Sequence, residues 1–239
     1  FAAPTTLQTA RLLDAGAGIG SLSGAFLSRW ASGDFDFRRV ELMAYEIDAR
    51  LREHLARTLL EYQAAQDVAV SVLPGDFIED AVKQIREGTV RFTHAILNPP
   101  YRKINSASRH RLLLRQVGIE TVNLYSAFVA LAIELLQPGG QIVAIIPRSF
   151  CNGPYYRPFR DLVFAKTAIK HLHLFGARNR AFKDDDVLQE NIIILLERAA
   201  PQGDVMVSTS TDGDFTDTET HLHRFHRIVF PDDPERFIH

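Results

Sequence analysis

Seven short apolar runs recur along the first 200 residues, and this rhythm limits the fold more than any other feature of the chain. They lie at 11–14, 40–45, 68–73, 93–97, 141–146, 169–175 and 191–197. Helix-forming stretches separate most of them. The stretch 20–30 puts Leu22, Phe26 and Trp30 on one side, and the stretch from Asp48 onward carries Leu51, Leu55, Leu59 and Tyr62 at spacings of four and three. Further helices are predicted at 77–87, near 158–166, and after Asn123, where Leu124, Phe128, Leu131 and Leu135 face inward until Pro138-Gly139-Gly140 stops the helix. Alternating strands and helices predict the α/β class: a doubly wound, mostly parallel seven-stranded sheet with helices on both faces and right-handed crossovers. Ligands of such sheets bind at the carboxyl ends of the strands, where the strand order reverses. The residues that close the strands are therefore the candidate site.

Composition narrows the setting. No apolar stretch reaches the roughly 18 residues that a membrane span needs, so no membrane partner is expected. The single cysteine, Cys151, excludes an internal disulfide framework and suits a reducing cytoplasm. The net charge of -2 gives no general affinity for nucleic acid, but its distribution is uneven. Residues 102–118 hold Arg102, Lys103, Arg109, Arg111 and Arg115 and no acid, a loop suited to phosphates. The strand rhythm fades after residue 200, where eight acids stand against three arginines. That stretch is expected to be a connecting hairpin or the root of another domain. With no initiator Met, the sequence is expected to belong to a longer protein.

Each early strand ends in a distinctive group. The first opens into Asp14-Ala15-Gly16-Ala17-Gly18-Ile19-Gly20, where glycines let a ligand approach a helix N-terminus. The second ends in Glu46-Ile47-Asp48, an acid placed to grip ribose hydroxyls. The third ends in Gly75-Asp76-Phe77, a carboxylate beside a ring. Asp14, Asp48 and Asp76 each also suit plain capping roles. The fourth ends in Asn98-Pro99-Pro100-Tyr101. Its prolines fix the backbone and remove two donors, leaving carbonyls and the Asn98 amide to face a ligand, with the Tyr101 ring alongside. This corner suits a planar group bearing an –NH2. Cys151, His171, His173, the histidines 221, 223 and 226, and Asp184-Asp185-Asp186 complete no metal-ligand pattern, and no metal is expected.

In this order the motifs resemble those of class I S-adenosylmethionine-dependent methyltransferases, and more narrowly the gamma-class adenine-N6 DNA methyltransferases of restriction–modification systems. The block Asn123-Leu124-Tyr125-Ser126-Ala127-Phe128 also matches, and the likeness covers about residues 11–198. The resemblance implies a Rossmann-like methyltransferase fold over residues 1–200, with 201–239 connecting to a target-recognition domain. It implies S-adenosyl-L-methionine as cofactor: Asp14, Gly16 and Gly18 around its methionine part, Glu46 and Ile47 at the ribose, Asp76 and Phe77 at the adenine, and Asn98 beside the methyl group. It implies double-stranded DNA as substrate, held by Tyr101, Arg102, Lys103 and a second stacking ring for which Phe182 is the best placed candidate. A fused or associated target-recognition domain and a restriction nuclease are the implied partners.

The same corner also serves methyltransferases of protein glutamine amides and of RNA base amines, because Asn and Pro read only an –NH2 on a flat group. Against these stand the basic stretch after Tyr101 and the block 123–128. Cytosine-N4 enzymes generally carry Ser in place of Asn98. A non-catalytic cofactor- or DNA-binding module and a dehydrogenase are the remaining alternatives.

Overall fold

The computed structural model describes residues 1, 8–88, 92–176 and 190–239. In chain order the elements are β1 (Thr9–Ala15), α1 (Ser21–Ala31), β2 (Arg39–Tyr45), α2 (Ala49–Ala65), β3 (Val68–Leu73), α3 (Phe77–Glu87) and β4 (Phe92–Leu97). They continue with α4 (Arg109–Gln116), α5 (Leu124–Leu135), β5 (Leu136–Pro147), α6 (Ser149–Asn152), α7 (Arg157–Lys166), β6 (Thr167–Phe175), β7 (Asn191–Arg198), β8 (Val205–Ser210) and β9 (Glu219–His223). One sheet joins all the strands in the order β3-β2-β1-β4-β5-β7-β6-β8-β9. Strands β1 to β5 pair in parallel, β7 runs antiparallel between β5 and β6, and β8 lies parallel to β6.

Strand periodicity explains the two helical layers. Successive side chains of a strand point to opposite faces. Leu12, Val40, Leu42, Ala44 and Ile96 pack with Phe26 and Leu27 of α1 and Leu55 and Leu59 of α2. Leu13, Ala15, Tyr45, Ala95 and Leu97 instead join α3, α5 and α7 on the other face. Burying each such leucine contributes about 1.5–3 kcal/mol. Helix starts follow local chemistry: Asp48 accepts the Arg50 and Leu51 amides, Asp76 those of Ile78 and Glu79, and Asn123 that of Tyr125. In α5 the expected inward stripe widens. Tyr125 to Ala127, Val129 to Ile133 and Leu135 are buried, because the helix lies between the sheet, α3 and α7.

Among the described residues the sheet has nine strands: the seven expected and two more from residues 201–239. Val205 is fully buried, and Ser208 and Ser210 are buried because they bond the imidazoles of His171 and His173. A polar residue can enter the layer there only because β6 supplies its partner. The end of the chain is held as firmly. The Arg160 guanidinium, with no exposed surface, donates to the carbonyls of Phe150 (2.8 Å), Gly153 (2.7 Å) and Glu235 (2.8 Å). Ile228, Val229 and Ile238 bury themselves in the core beside it. Among the described residues no helix is long and apolar enough to cross a membrane.

Two outcomes follow from this packing. Arg160→Met leaves one buried and two partly buried carbonyls without their charged donor and is expected to lower unfolding free energy by about 3 kcal/mol in urea titrations. It should also open residues 225–239 to limited proteolysis before the rest of the domain. His94, set among the rings of Phe26 and Phe37, has its imidazole pushed down to about 4 by burial. The unfolded chain takes up a proton near 6.5 that the folded chain refuses until about 4. Stability from this group is therefore intact above 6.5 and falls as pH drops through that window, by about 3 kcal/mol in all. In His94→Leu this part of the acid slope should vanish from the parent-minus-variant difference in urea stability.

Candidate active site

The strand order reverses between β1 and β4, and their parallel ladder pairs Leu12 with His94, Leu13 with Ala95 and Asp14 with Ile96. The chain leaving β1 and the chain leaving β4 therefore emerge side by side. The first turns through Gly16 to Gly20, the second through Asn98 to Tyr101. Gly16 has φ of 77°, a left-handed backbone that glycine adopts without steric cost. A Cβ built there would stand 3.7 Å from the Phe128 ring and 4.0 Å from Pro100, at the floor of an open cleft. Gly20 has no such room, since its Cβ would lie 2.8 Å from Leu55 of α2.

The cleft measures about 590 Å³, within the range of small-molecule sites. Of the residues singled out in the sequence, Gly16, Glu46, Ile47, Asp76, Phe77, Asn98, Pro100 and Arg102 line it. Ile47 is 70% exposed, an apolar side chain held open over the cleft. Phe77 is buried edge-on against Tyr45 and tilted on Phe128, with centroids 5.2 and 5.0 Å apart. Glu46 is buried, and its two oxygens accept the amides of Gly18 and Asp48, each at 2.8 Å. The Gly18 amide is thus spent on Glu46 and lies outside the lining. Asp48 and Asp76 cap α2 and α3, as the simpler reading of each allowed, and Asp76 also faces the cleft.

Asp14 lies behind the glycine turn and does not line the cleft. Its Oδ2 accepts the Ser23 hydroxyl of α1 at 2.5 Å, tying β1 to the next helix. Its Oδ1 is buried without a partner among the described residues, and burial pushes the carboxyl up to about 7.

At the corner itself Asn98 is exposed and Pro99 buried. The Tyr101 hydroxyl lies 3.1 Å from Asn98 Oδ1 and 3.2 Å from the Ile145 carbonyl of β5. The Tyr101 ring meets Tyr125 edge-on at 6.1 Å. The following segment folds back, with Lys103 bridging Asn123 and the Leu124 amide bonding the Arg102 carbonyl.

The expected basic loop is corrected. Residues 109–116 form α4, because Ser108 caps its first turn and Leu114 packs into the core. Arg109 pairs with Glu79 at 2.9 Å, Arg115 with Glu120 at 3.0 Å, and Arg111 also with Glu120. Arg102 and Lys103 are exposed and make no ion pair among the described residues. Phe182 and Asp184-Asp185-Asp186 lie outside the described residues.

Sequence reasoning missed several lining groups. The helix periodicity turns Leu51 and Phe128 inward, and both line the cleft. His110 was missed altogether, because α4 was not foreseen and nothing in its spacing marks it. It hydrogen-bonds Asp76 and, with Glu79, forms the only group of possible metal ligands among the described residues, all within 4.8 Å. Glu79 is already paired with Arg109, and Asp76 with His110 and the start of α3. Cys151 is a buried thiol that burial pushes up to about 12, the behaviour of a packing residue.

The sequence pattern of the Eco57I restriction-modification methylase family matches residues 37–182. The type II methyltransferase M.BsuBI of Bacillus subtilis is 51% identical over 98% of this chain, and M.PstI of Providencia stuartii 41% identical over 95%. The chain spans 48% and 46% of those relatives, about half their length. Among solved structures, the type IIG restriction endonuclease BpuSI superposes with a TM-score of 0.67 at 17% identity, covering 91% of this chain and 28% of that one. A nuclease-deletion mutant of the type ISP restriction–modification enzyme LlaGI gives 0.66 at 14% identity, over 96% of this chain and 28% of that one. These two likenesses extend to the fold. The family match spans well over half of the sequence: the chain belongs to the Eco57I restriction-modification methylase family.

Proposed function

We propose that this chain carries the catalytic centre of a site-specific DNA methyltransferase, which moves a methyl group from S-adenosyl-L-methionine to the N6 amino group of an adenine turned out of the duplex. The observation that carries this reading is the position of Asn98-Pro99-Pro100-Tyr101 at the end of β4, beside Gly16 and on the rim of the cleft. The cleft fits the cofactor in kind. It has an apolar wall of Ile47, Leu51, Phe77 and Phe128 for a purine, and acids at Glu46 and Asp76 for hydroxyls and an amine. When bound, the cofactor supplies a methyl group already activated by the positive charge on sulfur.

The chain's own residues do the rest. The exocyclic nitrogen of adenine is a poor nucleophile because its lone pair is delocalised into the ring. Asn98 Oδ1 and the Pro99 carbonyl accept its two hydrogens, which draws the nitrogen toward tetrahedral geometry and frees the lone pair. The contact from the Tyr101 hydroxyl holds the Asn98 amide in place before the base arrives. Positioning and oriented dipoles carry the catalysis, with no strong base required. Turning a base out of the duplex costs a few kcal/mol, and stacking on the Tyr101 ring returns roughly 1–3 kcal/mol. Arg102 and Lys103 stand next to the corner for the phosphates of the same strand. Sequence recognition and cleavage would fall to a target-recognition domain and a nuclease, fused or associated.

In the full-length protein, Asn98→Ala is expected to cut methyl transfer by at least about 100- to 1,000-fold, the usual effect of losing one transition-state hydrogen bond. Cofactor binding should stay largely intact, since the main contact of Asn98 is with the amine. Tritiated cofactor offered with duplex DNA, a release factor and RNA should label DNA at adenine N6. Label on protein or RNA, or equal loss of binding and transfer in the variant, overturns the assignment.

A further inference from the structure

Asp76 is engaged on both oxygens. Its Oδ1 accepts the amides of Ile78 at 2.8 Å and Glu79 at 3.3 Å, and its Oδ2 lies 2.8 Å from His110 Nε2. His110 stands on α4, in the segment between the Asn98–Tyr101 corner and α5. Its side chain is 34% exposed and borders the same cleft as Asp76, Ile47 and Phe77. The neighbouring Arg109 pairs with Glu79, so two adjacent side chains of α4 grip the first turn of α3.

A helix-capping aspartate needs one oxygen for its cap. A second donor fixes the plane of the carboxylate and, on a side chain that lines the cleft, leaves Oδ2 with one lone pair unspent. Because a carboxylate accepts only, the histidine nitrogen facing it carries the proton. That lone pair suits a –NH2 on a planar ring lying against Ile47 and Phe77, and repels a carbonyl in the same place.

We propose that His110 is a positioning and specificity residue for the nucleobase end of the cofactor cleft. It holds the Asp76 carboxylate in the orientation that accepts a 6-amino purine and refuses a 6-oxo purine. The proposal rests on the cleft being the S-adenosyl-L-methionine site. It also ties the α4 segment that follows the catalytic corner to cofactor choice.

Calorimetric titration of the full-length protein with S-adenosylhomocysteine and its deaminated 6-oxo counterpart tests this. The parent should prefer the amino form by about 100-fold or more, as sites built to pair a polar group do. His110→Ala should weaken binding of the amino form about tenfold and reduce the preference, with the 6-oxo form little changed. His110→Gln, whose amide can donate to Asp76 from a similar position, should restore most of both. The kcat at saturating cofactor should match the parent, which separates a binding effect from damage to the corner. Equal loss for both ligands in His110→Ala, or no loss for either, overturns the proposal. So does a rise in melting temperature with Mn2+ or Zn2+ that His110→Ala abolishes, which would make Asp76, Glu79 and His110 a metal site. If the parent binds neither ligand, the reading of the cleft itself falls.

Discussion

The parallel pairing of β1 with β4 is the contact on which the rest of the molecule depends. Only three residue pairs define the ladder, from Leu12 with His94 to Asp14 with Ile96. Yet it is the point at which the chain, having built outward through β2 and β3, returns to build in the other direction. Loops cannot fill the crevice left above such a junction, because the helices after β1 and β4 lie on opposite faces. The glycine turn after β1 and the Asn98 corner after β4 share that crevice, and the cleft follows from the topology. A slip of one residue in this ladder would exchange the faces of Leu12 and Leu13 and break both cores at once.

Polar groups around the cleft hold the turns rather than the sheet. Asp14 ties β1 to α1 through Ser23, Glu46 ties the glycine turn to the start of α2, and Asp76 joins α3 to α4 through His110. Glu46 and Asp76 sit just past strand ends where backbone amides lose their ladder partners, and their carboxylates satisfy those amides. Glu46 and Asp76 also line the cleft, so the architecture that closes the strands supplies its polarity too.

The far half of the sheet is held differently. There β7 runs antiparallel between β5 and β6, and β8 extends the edge through the serine–histidine pairs. Arg160 then gathers three carbonyls from two distant segments into one buried cluster. Among the described residues this half touches the Asn98 corner through the Ile145 carbonyl of β5, which lies 3.2 Å from the Tyr101 hydroxyl.

The periodicity of apolar residues was legible without coordinates because strand and helix repeats are local. Leu12 and Leu13 announce a strand buried on both sides, and the strand-closing groups Glu46-Ile47, Asp76-Phe77 and Asn98 to Tyr101 announce where a ligand belongs. The stretch after residue 200 reads as a connecting hairpin or the root of another domain and not as part of the sheet, because Ser208 and Ser210 look like loop residues until His171 and His173 stand opposite them. The basic stretch differs from its sequence reading for the same reason: Glu79 and Glu120 neutralise Arg109, Arg111 and Arg115 from outside the segment. The retreat of Asp14 behind its own turn, the opening of Phe128 onto the cleft and the meeting of His110 with Asp76 likewise depend on partners 9 to 51 residues away. By itself the sequence determined the first seven strands, most of the helices between them and the side chains that end them, since those depend on near neighbours in the chain. Tertiary structure alone decided which charges are already spent and which face a ligand, because charge pairing acts through space and its partners come from other elements.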